Sequence, residues 1–191
     1  MAPGMDPLLK DWFQVLFWAV AVIGGVVAGF KAIYELHEST QQRVAELRWK
    51  QANAARDILS EIHHHTLAAN AVVMLDWYEG MHDYKIEEGN KVVISYNDVI
   101  SALRKTQLDN LEEKDIYIRD CLDWFFYFID RIEHYIRTGF ISFQDVDTVF
   151  EPYAKKIMNQ IKIYDDFMAS HDYELARKFW RRYEPMLTTR S

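Results

Sequence analysis

A run near the C-terminal end combines cations and aromatic rings in a pattern suited to nucleotide binding. Residues 177–183 interleave four cations with three aromatic rings. Arginine and lysine bind phosphates, and aromatic rings stack on bases. On a helix the same run has a second interpretation, in which Phe179 and Trp180 face a core while the cations stay solvated. The candidate ligand-binding residues in this run, with two upstream lysines, are Arg177, Lys178, Trp180, Arg181, Arg182, Lys155 and Lys156.

Three consecutive histidines, His63, His64 and His65, follow Glu61 in a helical stretch. The spacing Glu61-x-x-His64 matches half of a helical di-iron site, in which a carboxylate and an imidazole share one face. A complete site needs a second such pair, which the sequence lacks. Because successive helical residues point in different directions, we expect solvated or interfacial histidines and neither a metal nor a cofactor.

Arg56 and His63 have six residues between them, which resembles the Arg-x4–6-His element of the HEPN ribonucleases. Asp57 stands where that family usually has another polar residue, and the element lies early in the chain rather than late in a bundle. The resemblance implies a membrane-tethered RNase as an alternative function. No Gly-rich phosphate loop, H-E-x-x-H motif or Gly-x-Ser-x-Gly elbow is present, so we expect a protein that is not an enzyme.

The elements that would position these residues begin with a membrane helix. Residues 12–30 contain no charged side chain, and Trp12 and Trp18 suit one membrane interface. At about 1.5 Å per residue such a helix covers the roughly 30 Å hydrocarbon core. A secretory signal peptide would have a basic leader, a shorter apolar core and a small-residue cleavage site. We therefore predict a retained transmembrane helix over residues 11–34.

Small residues recur within this span at four-residue spacing, in the two sets Ala21, Gly25, Gly29 and Gly24, Ala28. Such spacing lets helix backbones approach closely in lipid, where packing drives association. We therefore expect a homo-oligomer packed through the span. A single-span protein forms a pore only by oligomerising, and this pore would be narrow and mostly apolar, so it would gate by dewetting.

Charge and cysteine content indicate the orientation and the compartment. The cations that follow the span outnumber Lys10 before it, and they include Lys31, Arg43, Arg48, Lys50 and Arg56. Positive residues favour the cytoplasm. We therefore expect residues 1–10 outside a bacterial inner membrane and the larger C-terminal part inside. The single cysteine, Cys121, precludes an intramolecular disulfide, in agreement with a reducing compartment.

The net charge of −7 argues against generic nucleic-acid binding, which depends on neutralising phosphates. A local basic groove remains compatible with this charge. The expected partners are therefore the lipid membrane, further copies of the chain, a nucleotide or oligonucleotide ligand, and a partner protein.

Beyond the span the sequence predicts an all-α fold. Apolar residues form one stripe with charges between them: Ile33, Leu36, Val44, Leu47, Ala52, Ala55, Ile58, Leu59 and Ile62. This stripe predicts a helical arm over residues 35–79, as one long helix or two nearly collinear helices, with Gly80 as its end. The pattern around Gly89 predicts a small β-hairpin at about 84–95.

The remaining helical patterns indicate a cytoplasmic bundle over residues 80–191 that contains this hairpin. Its longest helix is predicted over residues 111–138, with Gly139 as its stop. Residues 124–129 in this helix are apolar on every side. This composition indicates either the buried centre of a bundle or an interface between copies.

The layout resembles small bacterial proteins of unknown-function families with one N-terminal span, an arm rich in arginine and tryptophan, and a helical bundle. The matching stretches are 24–32, 48–52 and 131–141. Such proteins resemble membrane effectors of anti-phage defence, as in CBASS, type III CRISPR and Hailong-like systems. The resemblance implies a cytoplasmic sensor for a nucleotide signal coupled to a membrane pore. A tethered adaptor or scaffold without a pore, bound to a partner protein, is the main alternative.

Overall fold

The computed structural model describes residues 7–76, 82–87, 90–104 and 111–188, and most of these residues are helical. The all-α class predicted from the sequence is confirmed. The chain divides into two units, residues 1–49 and residues 50–191.

Helices dominate the described part of the chain, where they are α1 (Pro7–His64), α2 (Thr66–Asp76), α3 (Tyr96–Arg104), α4 (Glu113–Arg137), a 3-10 helix (Phe143–Asp145), α5 (Asp147–Asn159), α6 (Ile161–Ser170), α7 (Glu174–Arg181) and α8 (Glu184–Thr188). Strands β1 (His82–Glu87) and β2 (Asn90–Ile94) pair antiparallel, with His82 opposite Ile94. The predicted turn residue Gly89 and the predicted arm end at Gly80 lie outside the described residues.

Helix α1 is long and apolar enough to cross a bilayer, and its apolar window is not buried by other parts of the chain. Its large apolar side chains, including Phe17, Val26 and Phe30, are exposed in the isolated chain. A helix that is apolar on all sides and uncovered by protein suits a lipid environment.

The arm, predicted as one long helix or two nearly collinear helices, is divided into two helices at His65. Helix α1 ends at His64, and α2 begins at Thr66. The His65 Nδ1 accepts a hydrogen bond from the backbone N–H of Ala68 at 3.4 Å, so its imidazole caps α2. The His65 ring also stacks against Trp124 with ring centroids 4.2 Å apart.

Helix α4 is the centre of the second unit and contacts α2, α3 and α7. It begins with a capping box between Glu112 and Asp115. It ends before Gly139, which adopts a φ of +73° that glycine tolerates best. The predicted stop at Gly139 is confirmed, because this backbone conformation does not continue a helix.

The core of the second unit is aromatic. Phe125, Phe126 and Phe128 of α4 are buried, whereas Trp124 and Tyr127 remain about 40% exposed. The last turns of α1 and helices α2, α5, α6 and α7 contribute further buried apolar residues. The predicted apolar centre of α4 therefore fills the core, and it also presents two aromatic rings to solvent.

Candidate functional site

The aromatic residues of the C-terminal run belong to the core. Phe179, Trp180 and Tyr183 are buried, and Trp180 stacks on Phe125 with ring centroids 6.1 Å apart. In this conformation the indole of Trp180 is not accessible for stacking on a base. The structure therefore corrects the ligand role predicted for Trp180. Burying the large apolar indole in the core is more favourable in free energy than leaving it exposed to water.

The arginines of this run are paired with carboxylates of neighbouring helices. Arg177 donates to both oxygens of Asp165 at 2.8 and 2.9 Å, and Arg181 donates to the same carboxylate at 3.3 Å. Arg182 donates to both oxygens of Glu133 at 2.8 and 2.7 Å. The hydrogen bond from Arg177 is the main cause that lowers the pKa of Asp165. A phosphate would have to displace these carboxylates.

The three predicted lysines also lie beside acidic groups. Lys178 is 3.8 Å from Glu174, and Lys155 is 3.2 Å from Glu151. Lys156 contacts both the backbone carbonyl and the carboxylate of Asp76. Among the predicted ligand-binding cations, Arg177 and Arg181 thus lie together because both donate to Asp165. Among the described residues, the lysines do not line a shared groove.

Acidic residues of α4 explain why the C-terminal run is held against the core. One Asp130 oxygen accepts hydrogen bonds from the backbone N–H groups of Leu175 and Ala176 at 2.9 and 3.1 Å. The Tyr173 hydroxyl donates to Asp123 at 2.9 Å. The three α4 carboxylates lie on one side of the helix, because their positions follow the helical period: Asp123, Asp130 and Glu133. Their hydrogen bonds hold the residues at both ends of α7 against α4. This role was not predicted from the sequence, although the spacing of these carboxylates was a visible signal.

An open groove between α1 and α4 is lined by both apolar and polar side chains. Its volume is about 520 Å³, and its apolar lining consists of Ala54, Ile58, Tyr135 and Phe140. Its polar lining consists of Asp57, Ser60, Glu61, His64 and Arg131. Ligand sites commonly combine apolar walls with a few convergent polar groups in this range of volume. We name this feature the α1–α4 groove.

Arg131 is the central cation of the α1–α4 groove. It donates to Glu61 at 3.1 Å, and its guanidinium lies 5.5 Å from the Phe128 ring centroid and 6.0 Å from that of Tyr135. The hydrogen bond to Glu61 is the main cause that raises the pKa of Arg131. Aromatic rings, the Glu61 carboxylate and a hydrogen bond to Tyr135 therefore hold this guanidinium in place.

The histidines predicted at this position have separate surroundings. His63 is exposed, and the His64 Nδ1 lies 2.7 Å from the backbone carbonyl of Ser60. His65 stacks on Trp124 as described above. Within the part of the chain that the structure describes, no three His, Cys, Asp or Glu side chains are grouped so as to hold a metal ion.

Arg56 and His63, which resemble the HEPN element, are both exposed on α1. Arg56 lies 3.5 Å from Asp57, and the lining of the α1–α4 groove includes neither Arg56 nor His63.

Cys121 is buried, and burial raises the pKa of its thiol to about 12. Its thiolate is therefore scarce at neutral pH, which makes this cysteine unreactive.

The small residues of the predicted span lie on an open surface in the single chain. Ala21 and Ala28 are exposed. A Cβ added at Gly24, Gly25 or Gly29 would meet no atom within 4 Å. The single chain therefore has space for a neighbouring helix to approach these positions closely.

In comparisons with known proteins, no protein family, no curated protein and no solved structure matches the chain.

Proposed function

We propose that this protein is a homo-oligomeric effector of the bacterial inner membrane that acts in anti-phage defence. Its cytoplasmic helices would sense a nucleotide or oligonucleotide, and its span would form a pore. One observation carries the proposal: the single helix α1 contains both the apolar span and the wall of the α1–α4 groove. A ligand that shifts this wall acts directly on the helix that crosses the membrane.

The α1–α4 groove supports the nucleotide as ligand. Tyr135 and Phe140 offer aromatic surfaces to a base, and Arg131 offers guanidinium donors to a phosphate. Because Arg131 already donates to Glu61 on α1, a phosphate would compete with that carboxylate. Ligand binding would thereby weaken one link between α4 and α1, which is a differential contact of the kind that shifts a conformational equilibrium.

The proposed orientation in the membrane is supported by the distribution of cations, and the proposed assembly is supported by the small residues of the span. The cations Lys31, Arg43, Arg48 and Lys50 follow the apolar segment, which favours a cytoplasmic C-terminal part. The open surface at Gly25 and Gly29 favours packing between copies of the span. A pore lined mainly by apolar side chains would close by dewetting and open after a small change in diameter.

A second candidate function is a membrane-tethered adaptor without a pore. Ile116, Trp124 and Tyr127 are 40–48% exposed on α4, and they follow the helical period along one side of it. Exposed aromatic side chains are enriched at protein interfaces. An adaptor would bind a partner protein through this surface and would not change membrane permeability.

Arg131→Gln is expected to abolish nucleotide binding in the α1–α4 groove, because the amide cannot replace a charge-assisted bidentate contact to phosphate. The expected loss is roughly 2–3 kcal/mol of binding free energy, or about 30- to 150-fold in affinity. The measurement is thermal stabilisation of the full-length protein in detergent by a panel of mononucleotides, dinucleotides and cyclic nucleotides. Arg137→Gln, an exposed change on the same helix, is the matched control. Stabilisation of both variants equal to that of the wild type would move the ligand elsewhere.

Gly25→Leu combined with Gly29→Leu is expected to break the assembly and to abolish ion flux. Leucine side chains would separate helices that glycine lets approach closely. Native mass spectrometry of the full-length protein would measure the copy number, and dye release from liposomes would measure flux. Val20→Leu with Val27→Leu adds bulk to the other side of the span and should leave both unchanged. A wild-type protein that is oligomeric but never releases dye would favour the adaptor.

A further inference from the structure

Helix α1 contains an 11-residue repeat over residues 33–62. Positions separated by three, four and four residues recur in three sets: Ile33, Leu36 and Thr40; Val44, Leu47 and Gln51; Ala55, Ile58 and Ile62. Eleven residues correspond to three turns at about 3.67 residues per turn, close to the 3.6 of a straight helix. The three sets therefore lie on one face, which we name the α1 stripe.

The structure covers one end of the α1 stripe and leaves the other end open. Ala55, Ile58 and Ile62 are 2–3% exposed within the core of the second unit. In contrast, the four apolar members of the first two sets, Ile33, Leu36, Val44 and Leu47, are 54–70% exposed. They extend over about 21 Å of helix. An uncovered apolar face of this length marks an interaction surface.

Lipid does not account for this open face. Residues 12–30 are already long enough to fill the hydrocarbon core. Leu47 then follows Lys31 by about 24 Å of helix. Charged residues occupy the intervening positions outside the α1 stripe, among them Glu35, Glu38 and Arg43. This part of α1 therefore continues into water with one apolar side.

Another copy of the same chain fits the open face. Extending the 11-residue repeat towards the N-terminus places Val22, Gly25 and Gly29 on the same face. Copies inserted in one bilayer run in the same direction and at the same depth. Copies that approach through Gly25 and Gly29 would therefore bring their α1 stripes together in register, like with like.

The polar members of the repeat agree with this arrangement. The Thr40 hydroxyl donates to the backbone carbonyl of Leu36 at 2.8 Å, so it can be buried between helices without an unpaired donor. The Gln51 amide donates to the backbone carbonyl of Gly139 at 3.0 Å. Gln51 thus marks the position where the α1 stripe passes from an open face to contacts within the second unit.

We propose that residues 33–47 of α1 form a parallel helical bundle with the same residues of other copies, outside the membrane. Ile33, Leu36, Val44 and Leu47 form its layers, and the 11-residue repeat makes the bundle straight or slightly right-handed. The inference deepens the assembly part of the proposed function, and it depends on neither the ligand nor the pore.

Disulfide cross-linking of the full-length protein in native membranes tests the bundle. Cys121→Ala first removes the native thiol, and cysteine is then placed at Leu47 on the α1 stripe or at Ala45 on the far side of the helix. Both positions are exposed in the single chain. We expect about tenfold more cross-linked dimer for Leu47→Cys than for Ala45→Cys, because a disulfide requires Cα atoms within about 7 Å. Equal cross-linking at the two positions, or none at Leu47, would overturn the proposal.

A second pair of variants provides a test that does not need cross-linking. Leu47→Glu should reduce the copy number seen by native mass spectrometry, whereas Ala45→Glu, which adds the same charge on the far side of the helix, should leave it unchanged. Because Leu47 is exposed in the single chain, its change should leave the far-ultraviolet circular dichroism of the protein unaltered. An unchanged copy number in Leu47→Glu would overturn the bundle. A wild-type protein that forms the bundle but releases no dye would instead count against the pore alone.

Discussion

Trp180→Ala is expected to lower the free energy of unfolding of the second unit by about 3–5 kcal/mol, the usual cost of truncating a large buried ring. Trp180 is completely buried, and its ring meets Phe125, Phe150 and Phe179 with centroids 5.1–6.1 Å apart. Removing the indole leaves a cavity among these rings. Urea unfolding of the full-length protein in mild detergent, followed by circular dichroism, measures the change.

Trp124→Ala is the matched control, since it removes the same side chain from a position that is 40% exposed. We expect roughly half of that cost there, about 2 kcal/mol, because less apolar area is lost from the core. If Trp180→Ala were as mild as Trp124→Ala, the C-terminal run would not be part of the core. The ligand role predicted for Trp180 from the sequence would then require a new test.

Arg182→Leu is expected to cost about 3 kcal/mol, because it leaves the buried carboxylate of Glu133 without its partner. The Glu133 side chain is only 3% exposed, whereas that of Arg182 is 37% exposed, so water partly compensates and the lower end of the usual range applies. The same urea measurement reports this change. Arg137→Leu, which alters an exposed arginine on the adjacent helix α4, should cost much less.

Combining Arg182→Leu with Glu133→Leu closes a double-mutant cycle. We expect the double variant to lie within about 1 kcal/mol of the wild type, because apolar residues can replace a buried ion pair at little cost. A double variant as unstable as Arg182→Leu alone would mean that Arg182 stabilises the fold through packing. In that case its contact with the Phe143 ring, 5.6 Å from the guanidinium to the centroid, is the first candidate.

The sequence predicts features that depend on neighbouring residues along the chain. The apolar segment in α1 is visible because no charge interrupts residues 12–30. The end of α4 is visible because Gly139 supplies a backbone conformation that other residues avoid. The sequence allows two helices in the arm, but it does not locate the break at His65, because neither glycine nor proline marks that position.

The sequence does not predict contacts between distant residues. Arg182 lies 49 positions from Glu133, and Arg131 lies 70 positions from Glu61. Cations interleaved with aromatic residues give the same sequence pattern in a ligand-binding helix and in a helix packed against a core. The spacing alone therefore could not show which of the two residues 177–183 form. The α1–α4 groove was missed for the same reason, since its walls come from opposite halves of the chain.

The position of Trp180 in the core also sets an order of events during synthesis. The apolar part of α1 precedes Trp180 and Tyr183 in the chain, so it leaves the ribosome before they do. Until they arrive, Phe125 and Phe150 lack the rings that cover them. Helix α7 is too short to be stable alone. The aromatic core of the second unit therefore cannot close until well after the apolar part of α1 has been made.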